Sequence, residues 1–229
     1  MDFGVYGAIN WMFETEPWGV IIEDDCYVSQ DFFFLCEAAF PRYNHEDRVM
    51  HIIANNPKAT LKESDQVEFT YHSMSWGWGT WAHKWHTYMD VEMKKFPEMT
   101  RWGMMKKYGW FQGAMYYREF SHTYAKRHML RTWDSMWLYS VLSNNGLCIM
   151  PMVNLAINNG IGTCEGTHYE IGEKNYYEGL GLGHLKLPVR FPDNNEIKPE
   201  IIKAERDEYF RLKMFGLAKK IRRILGLSR

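Results

Sequence analysis

Gly19-Val20-Ile21-Ile22-Glu23-Asp24-Asp25-Cys26 is the stretch on which the fold turns. Its β-branched run reads as a short buried strand, and the abrupt change to three acids marks a polar sheet edge. In α/β sheets, ligands gather beyond the carboxyl ends of strands, so Glu23, Asp24 and Asp25 mark a candidate site. Three successive carboxylates repel one another unless a cation or a basic partner offsets them. Oxygen donors of this kind suit Mg²⁺ or Mn²⁺, which bind through one or two carboxylates together with substrate phosphates and water. The competing reading is a solvated loop with a helix-capping Asp. The strand that delivers the acids favours the functional reading.

Working outward, residues 5–14 read as helix, with Val5, Ile9, Trp11, Met12 and Phe13 forming a broad apolar face. Residues 30–40 read as a second helix closed by Pro41, and 48–54 and 67–71 as buried strands. Residues 76–85 read as a glycine-broken turn passing into a helix. Residues 93–127 are mostly helical, with breaks at Gly103, Gly109 and Gly113. Residues 132–144 form a helix with Trp133, Trp137, Ser140 and Val141 on one face, and 147–150 a strand before Pro151. Residues 158–183, rich in Gly and Asn, read as loop. Strands alternating with helices predict an α/β layer architecture with a largely parallel sheet.

Composition narrows the function classes. The chain has 229 residues, which fits one large domain (1–198) followed by a tail (199–229). With 27 basic and 28 acidic residues it lacks the global positive field of a nucleic-acid binder. Aromatics reach 16%, enough to supply stacking platforms for sugars as well as a large core. Cys26, Cys36, Cys148 and Cys164 show neither CxxC nor zinc-like spacing, which points to a reducing compartment. Met1-Asp2-Phe3-Gly4 has no basic n-region, so no signal peptide is expected. No stretch approaches the length of a spanning helix. The expected location is cytoplasmic, peripheral on the inner face of the membrane if the tail binds lipid.

The run Gly19–Cys26 followed by Asp31-Phe32-Phe33 resembles the DxD region of GT-A glycosyltransferases, in particular family 2-like nucleotide-diphospho-sugar transferases. Tyr71-His72-Ser73-Met74-Ser75-Trp76-Gly77-Trp78-Gly79-Thr80-Trp81 is similar to that group's WGWATW segment. Thr132-Trp133-Asp134-Ser135-Met136-Trp137, Asn144-Asn145-Gly146-Leu147 and Pro151-Met152-Val153-Asn154-Leu155 resemble its WDxQW, NNGL and PNVNL elements. Asn159-Gly160-Ile161-Gly162 with Thr167-His168 resembles its closing NIGFG and TH elements. The pieces stand in family order across roughly residues 4–170.

The resemblance implies a GT-A-like (Rossmann-like) mixed sheet flanked by helices, and a metal-dependent, inverting transfer of sugar. The donor would be a nucleotide sugar and the acceptor a hydroxyl on a glycan or lipid-linked glycan. It implies Asp25 as the direct ligand of Mn²⁺ or Mg²⁺, with Asp24 or Glu23 on the ribose or a metal-bound water. Asp134 would be the catalytic base, His168 a second metal-facing residue, and Trp76, Gly77, Trp78 and Gly79 a donor or acceptor wall. Glu165 lies near His168 in sequence. The chain departs from the pattern at Met136, where the family has Gln, and at Thr163-Cys164-Glu165-Gly166. Only about twenty residues precede Glu23, fewer than the family's nucleotide-binding half requires. The expectation is therefore an N-terminally truncated member whose exposed sheet edge a partner chain would cover. The rival reading is an inactive remnant or sugar-binding module of the same fold. A metal-dependent hydrolase is a third class, but no HxxE or HxH cluster supports it.

After Pro199, Arg211, Lys213, Lys219, Lys220, Arg222, Arg223 and Arg229 interleave with Leu212, Phe215, Leu217, Ile221, Ile224, Leu225 and Leu227. This reads as a basic amphipathic helix, lying on an anionic membrane or packed back on the domain.

Overall fold

The computed structural model describes residues 2–129, 133–160, 176–177 and 179–224. Its eight strands are β1 (Trp18–Ile21), β2 (Cys26–Val28), β3 (Val49–Ile53), β4 (Glu63–Thr70), β5 (Trp78–Trp81), β6 (Leu147–Pro151), β7 (Ala156–Asn158) and β8 (His184–Arg190). Six form a sheet in the order β1-β5-β3-β6-β4-β8, and β2 pairs with β7 as a separate antiparallel ribbon. Only β3–β6 and β4–β8 run parallel; β1–β5, β3–β5 and β4–β6 are antiparallel. The fold is mixed α/β, and the expectation of a largely parallel sheet is corrected.

The helices are α1 (Asp2–Met12), α2 (Gln30–Arg42), α3 (Ala82–Tyr88), α4 (Arg101–Tyr108), α5 (Trp110–Ala125), α6 (Trp133–Ser143) and α7 (Pro199–Ile224). Ser29 caps α2, its hydroxyl accepting the Asp31 N–H at 3.3 Å. The Asp31 carboxylate then accepts from the Leu185 N–H at 2.9 Å and pairs with His184, tying α2 to β8. Pro41 does not close this helix. It sits in the last turn, where a single lost N–H costs little beside the burial of Phe40 and Tyr43 on either side.

Helix α2 covers one face of the sheet, packing Phe32, Leu35, Ala39 and Phe40 against Ile52, Val67, Phe69 and Ile149. Helices α1, α3 and α6 cover the other, where Ile9, Phe13, Trp85, Trp133 and Trp137 meet Met50, Trp78 and Cys148. A register shift between Val49 and His51 sets both Met50 and His51 against the aromatic cluster on the α6 side. Outside α6 lies a further layer in which α5 and α7 bring Tyr116, Phe120 and Tyr209 against Leu138 and Tyr139.

Strand β5 occupies residues whose two glycines suggest a turn. Gly79 makes the strand fit: a Cβ there would lie 3.0 Å from the Phe40 ring and 3.4 Å from Cys36 Sγ. Strand β1 is not enclosed as its β-branched run suggests. It lies at the sheet edge with β5 as its one sheet neighbour among the described residues, and Trp18 and Ile22 are each 41% exposed. It is held by its two faces, because Gly19 lies against Met12 of α1 and the Trp18 ring stacks on Phe40 of α2.

Of the three glycines read as helix breaks, only Gly109 acts as one, turning the chain between α4 and α5 at φ +94°. Gly113 lies inside α5 and allows α4 and α5 to touch backbone to backbone: an added Cβ would be 2.2 Å from the Met104 carbonyl oxygen. Gly216 in α7 faces open space. Gly113→Ala is therefore expected to destabilise by about 1–3 kcal/mol, lowering the melting temperature by about 2–10 °C. Gly216→Ala is expected to stabilise by up to about 1 kcal/mol. Thermal denaturation of the two variants checks both signs, and a tolerated Gly113→Ala would contradict the close α4–α5 approach.

Candidate functional site

The acidic residues stand where the chain leaves β1. After Ile22 a tight turn, closed by the Cys26 N–H donating to the Glu23 carbonyl at 3.0 Å, leads into β2. The β2–β7 ribbon clamps this turn from the far side. The Asn159 N–H donates to the Asp25 carbonyl at 2.7 Å, and Gly160 lies so close that a Cβ would sit 2.7 Å from Asp25 Oδ2. Gly160 belongs to a quoted motif, but its purpose becomes visible only here: it lets backbone meet carboxylate.

One donor atom each from Glu23, Asp25 and Cys26 lie within 4.8 Å of one another. Glu23 is half-buried, and its pKa is raised to about 7 by burial first, then by the charges of Asp25, Asp134 and Asp24. Asp134 in the first turn of α6 is thus near enough to be felt at the end of β1. Burial, and the neighbouring carboxylate, push the Cys26 thiol well above its usual range. Its S–H donates to Asp25 Oδ1 at 3.4 Å. The donors suit a hard dication on these grounds: Glu23 and Asp25 offer oxygens whose repulsion a cation would relieve, while Cys26 remains a thiol that orients Asp25.

Beside Asp134 opens a cavity of about 190 Å³. Trp76, Trp78, Trp133, Glu119, His51 and His72 contribute to its wall. Trp78 is completely buried between His51 (ring centroids 4.9 Å apart, 17° between planes) and Trp133 (5.6 Å, 19°). Trp76 is partly exposed and meets Tyr177 edge-on at 4.9 Å. Ser135 donates to Glu119 at 2.6 Å, linking the start of α6 to α5.

Both histidines in the wall are neutral. His51 Nδ1 accepts from the Trp137 indole N–H at 3.0 Å, so Nε2 carries the hydrogen and donates to the Met74 carbonyl at 3.0 Å. Burial lowers its pKa to about 3. Tyr116 accepts from Gln112 and so gives its own hydrogen to His72 Nδ1 at 2.8 Å. His72 likewise carries its hydrogen on Nε2, and burial lowers its pKa to about 4.

Of the expected site residues, Asp134, Trp76 and Trp78 line the cavity, and Glu23 and Asp25 lie together at the end of β1, where Glu23 feels the charge of Asp134. Asp24 is exposed on the turn. Gly77 and Gly79 serve packing instead. At φ +76° Gly77 lies under Val28, where a Cβ would be 2.7 Å from its side chain, and Gly79 faces α2. His168 and Glu165 lie outside the described residues. Sequence reasoning did not single out His51, Glu119 or Cys26 as site residues. A histidine in an otherwise apolar strand, Val49-Met50-His51-Ile52-Ile53, is the signal that would have found the first.

Glu23 keeps a proton in the folded chain that the unfolded chain releases between pH 4.5 and about 7. Stability attributable to this residue therefore falls as pH rises through that window and is level above it. Relative to Glu23→Gln, the native chain is expected to lose melting temperature progressively across the window. A difference that stays constant with pH would show that Glu23 ionises normally. No protein-family model and no curated protein sequence matches this chain.

Proposed function

We propose that the chain is a GT-A-like glycosyltransferase domain, metal-dependent and inverting, acting on a nucleotide-sugar donor and a glycan or lipid-linked acceptor. The observation that carries this reading is that Asp134, in the wall of an aromatic-lined cavity at the start of α6, acts electrostatically on Glu23 at the end of β1. Glu23 and Asp25 would hold Mn²⁺ or Mg²⁺ against the donor diphosphate, with Asp24 on the exposed side of the turn. When bound, the ion would offset the charge that grows on the departing diphosphate.

Asp134 supplies the other half of the chemistry. Its carboxylate accepts the proton of the acceptor hydroxyl while that oxygen bonds to the anomeric carbon and the sugar–diphosphate bond breaks. Attack opposite the leaving group inverts the anomeric centre, and the products are the glycoside and the nucleoside diphosphate. The partly exposed indole face of Trp76 suits a pyranose ring, which stacks its C–H face on aromatics.

Calorimetry with Mn²⁺ and a panel of nucleotide sugars tests this reading. Metal-dependent nucleotide binding is expected, abolished in Asp25→Ala and retained in Asp134→Asn. Turnover in the latter variant should fall by about 10²–10⁴-fold, the usual contribution of a general base. Sugar binding without any metal-dependent nucleotide binding would favour the inactive sugar-binding module. Full turnover in Asp134→Asn would remove Asp134 from the role of base.

A further inference from the structure

Helix α7 is apolar on two opposed sides. At about 100° per residue, Ile201, Glu205, Tyr209 and Leu212 fall on one side. That is the side packed on the domain, with Ile201 and Tyr209 buried in the core and Glu205 taking a hydrogen bond from Thr70. Phe210, Met214, Leu217 and Ile221 recur at helical spacing on the opposite side, each 44–48% exposed. The second stripe is not needed for packing. It continues onto α5 through Phe111, whose ring meets Phe210 at 5.2 Å. From there it reaches Trp110 and Trp102, 70% and 65% exposed and edge-to-face at 5.9 Å.

The charges around this band are mostly basic, with Asp207 and Glu208 confined to its N-terminal end. Lys213 and Lys220 flank the α7 stripe on one side and Arg211 on the other, all exposed, and no acid follows Glu208 in the helix. Helix α4, which carries Trp102, holds Arg101, Lys106 and Lys107 and no acid. Exposed tryptophans beside a basic-flanked apolar stripe are the composition of a surface that sits at a lipid–water boundary. Arg211 pairs with Glu208 and Lys107 turns to Asn145, but Lys213, Lys220, Arg101 and Lys106 form no ion pair among the described residues, and an anionic headgroup layer supplies opposite charge to all of them at once. Among the described residues no helix is long and apolar enough to cross a membrane, so the contact is lateral.

We infer that the α7 stripe, with Phe111, Trp110 and Trp102, docks the chain on an anionic lipid bilayer. This stands independently of the transferase reading. The test is flotation of the full chain with phosphatidylcholine vesicles, with and without phosphatidylglycerol, followed by tryptophan emission. The expected result is flotation with the anionic vesicles at low salt, weakened by added salt, with a blue shift that Trp110→Ser diminishes. Lys213→Gln with Lys220→Gln should lower partitioning about 30-fold, on the basis of roughly a fivefold factor per surface base. Leu217→Ser with Ile221→Ser lies on the unpacked side and should abolish flotation while leaving the melting temperature unchanged. Absence of flotation at low salt would overturn the inference. So would flotation unaffected by these variants, or a dimer in sedimentation that the Leu217/Ile221 variant dissolves while vesicles go unbound.

Discussion

Mutual repulsion among carboxylates at the end of β1 is the constraint around which this molecule is arranged. Two full charges within 4.8 Å of one another would repel by roughly 3–4 kcal/mol at an effective dielectric of about 20. The fold does not avoid this cost by splaying the residues. It clamps the turn with the β2–β7 ribbon, seats Gly160 against Asp25, and brings the α6 start close enough for Asp134 to add to the field on Glu23. Glu23 responds by holding its proton to about pH 7. Among the described residues, no lysine, arginine or histidine forms an ion pair with Glu23 or Asp25.

The treatment of Lys84 shows that the fold can neutralise a buried charge when structure alone is at stake. Its ammonium donates to the carbonyls of Tyr43, Glu46 and Val49 at 2.5, 3.0 and 2.7 Å and lies 3.6 Å from the centre of the Trp81 ring. Burial lowers its pKa to about 8, yet every hydrogen it can donate has an acceptor. In doing so it fastens the end of α2 to the start of β3. A buried charge with a complete set of partners is a structural rivet, whereas the acids at the end of β1 meet one another's charge instead.

Much of this was legible in the sequence, for identifiable reasons. Helices α1, α2 and α6 and strands β3 and β6 carry strong apolar patterns, and the acids after Ile22 announce the sheet edge. What escaped depends on contacts between distant segments. Trp78-Gly79-Thr80-Trp81 forms a strand because Gly79 admits Phe40, which lies about forty residues earlier in the chain. Gly113 mimics a helix break in composition but serves helix–helix contact. Strand β8, Leu187-Pro188 included, has mostly exposed residues and only Leu185 well buried, so periodicity has little to detect. The pairing of β1 with β5 rather than with a parallel neighbour is likewise a property of the sheet and not of the run Val20-Ile21-Ile22.

The cavity wall makes the same point in chemical terms. His51 and His72 are each locked as neutral rings by a donor on Nδ1, Trp137 in one case and Tyr116 in the other. Burial holds both below the usual histidine range, so neither ring carries a positive charge at neutral pH. Asp134 and Glu119 are the carboxylates of the wall, and Glu119 accepts a hydrogen bond from Ser135. Aromatic faces, neutral imidazoles and a carboxylate at the head of a helix thus share one wall. That the imidazoles are neutral members of the wall follows from their hydrogen-bond partners and their burial.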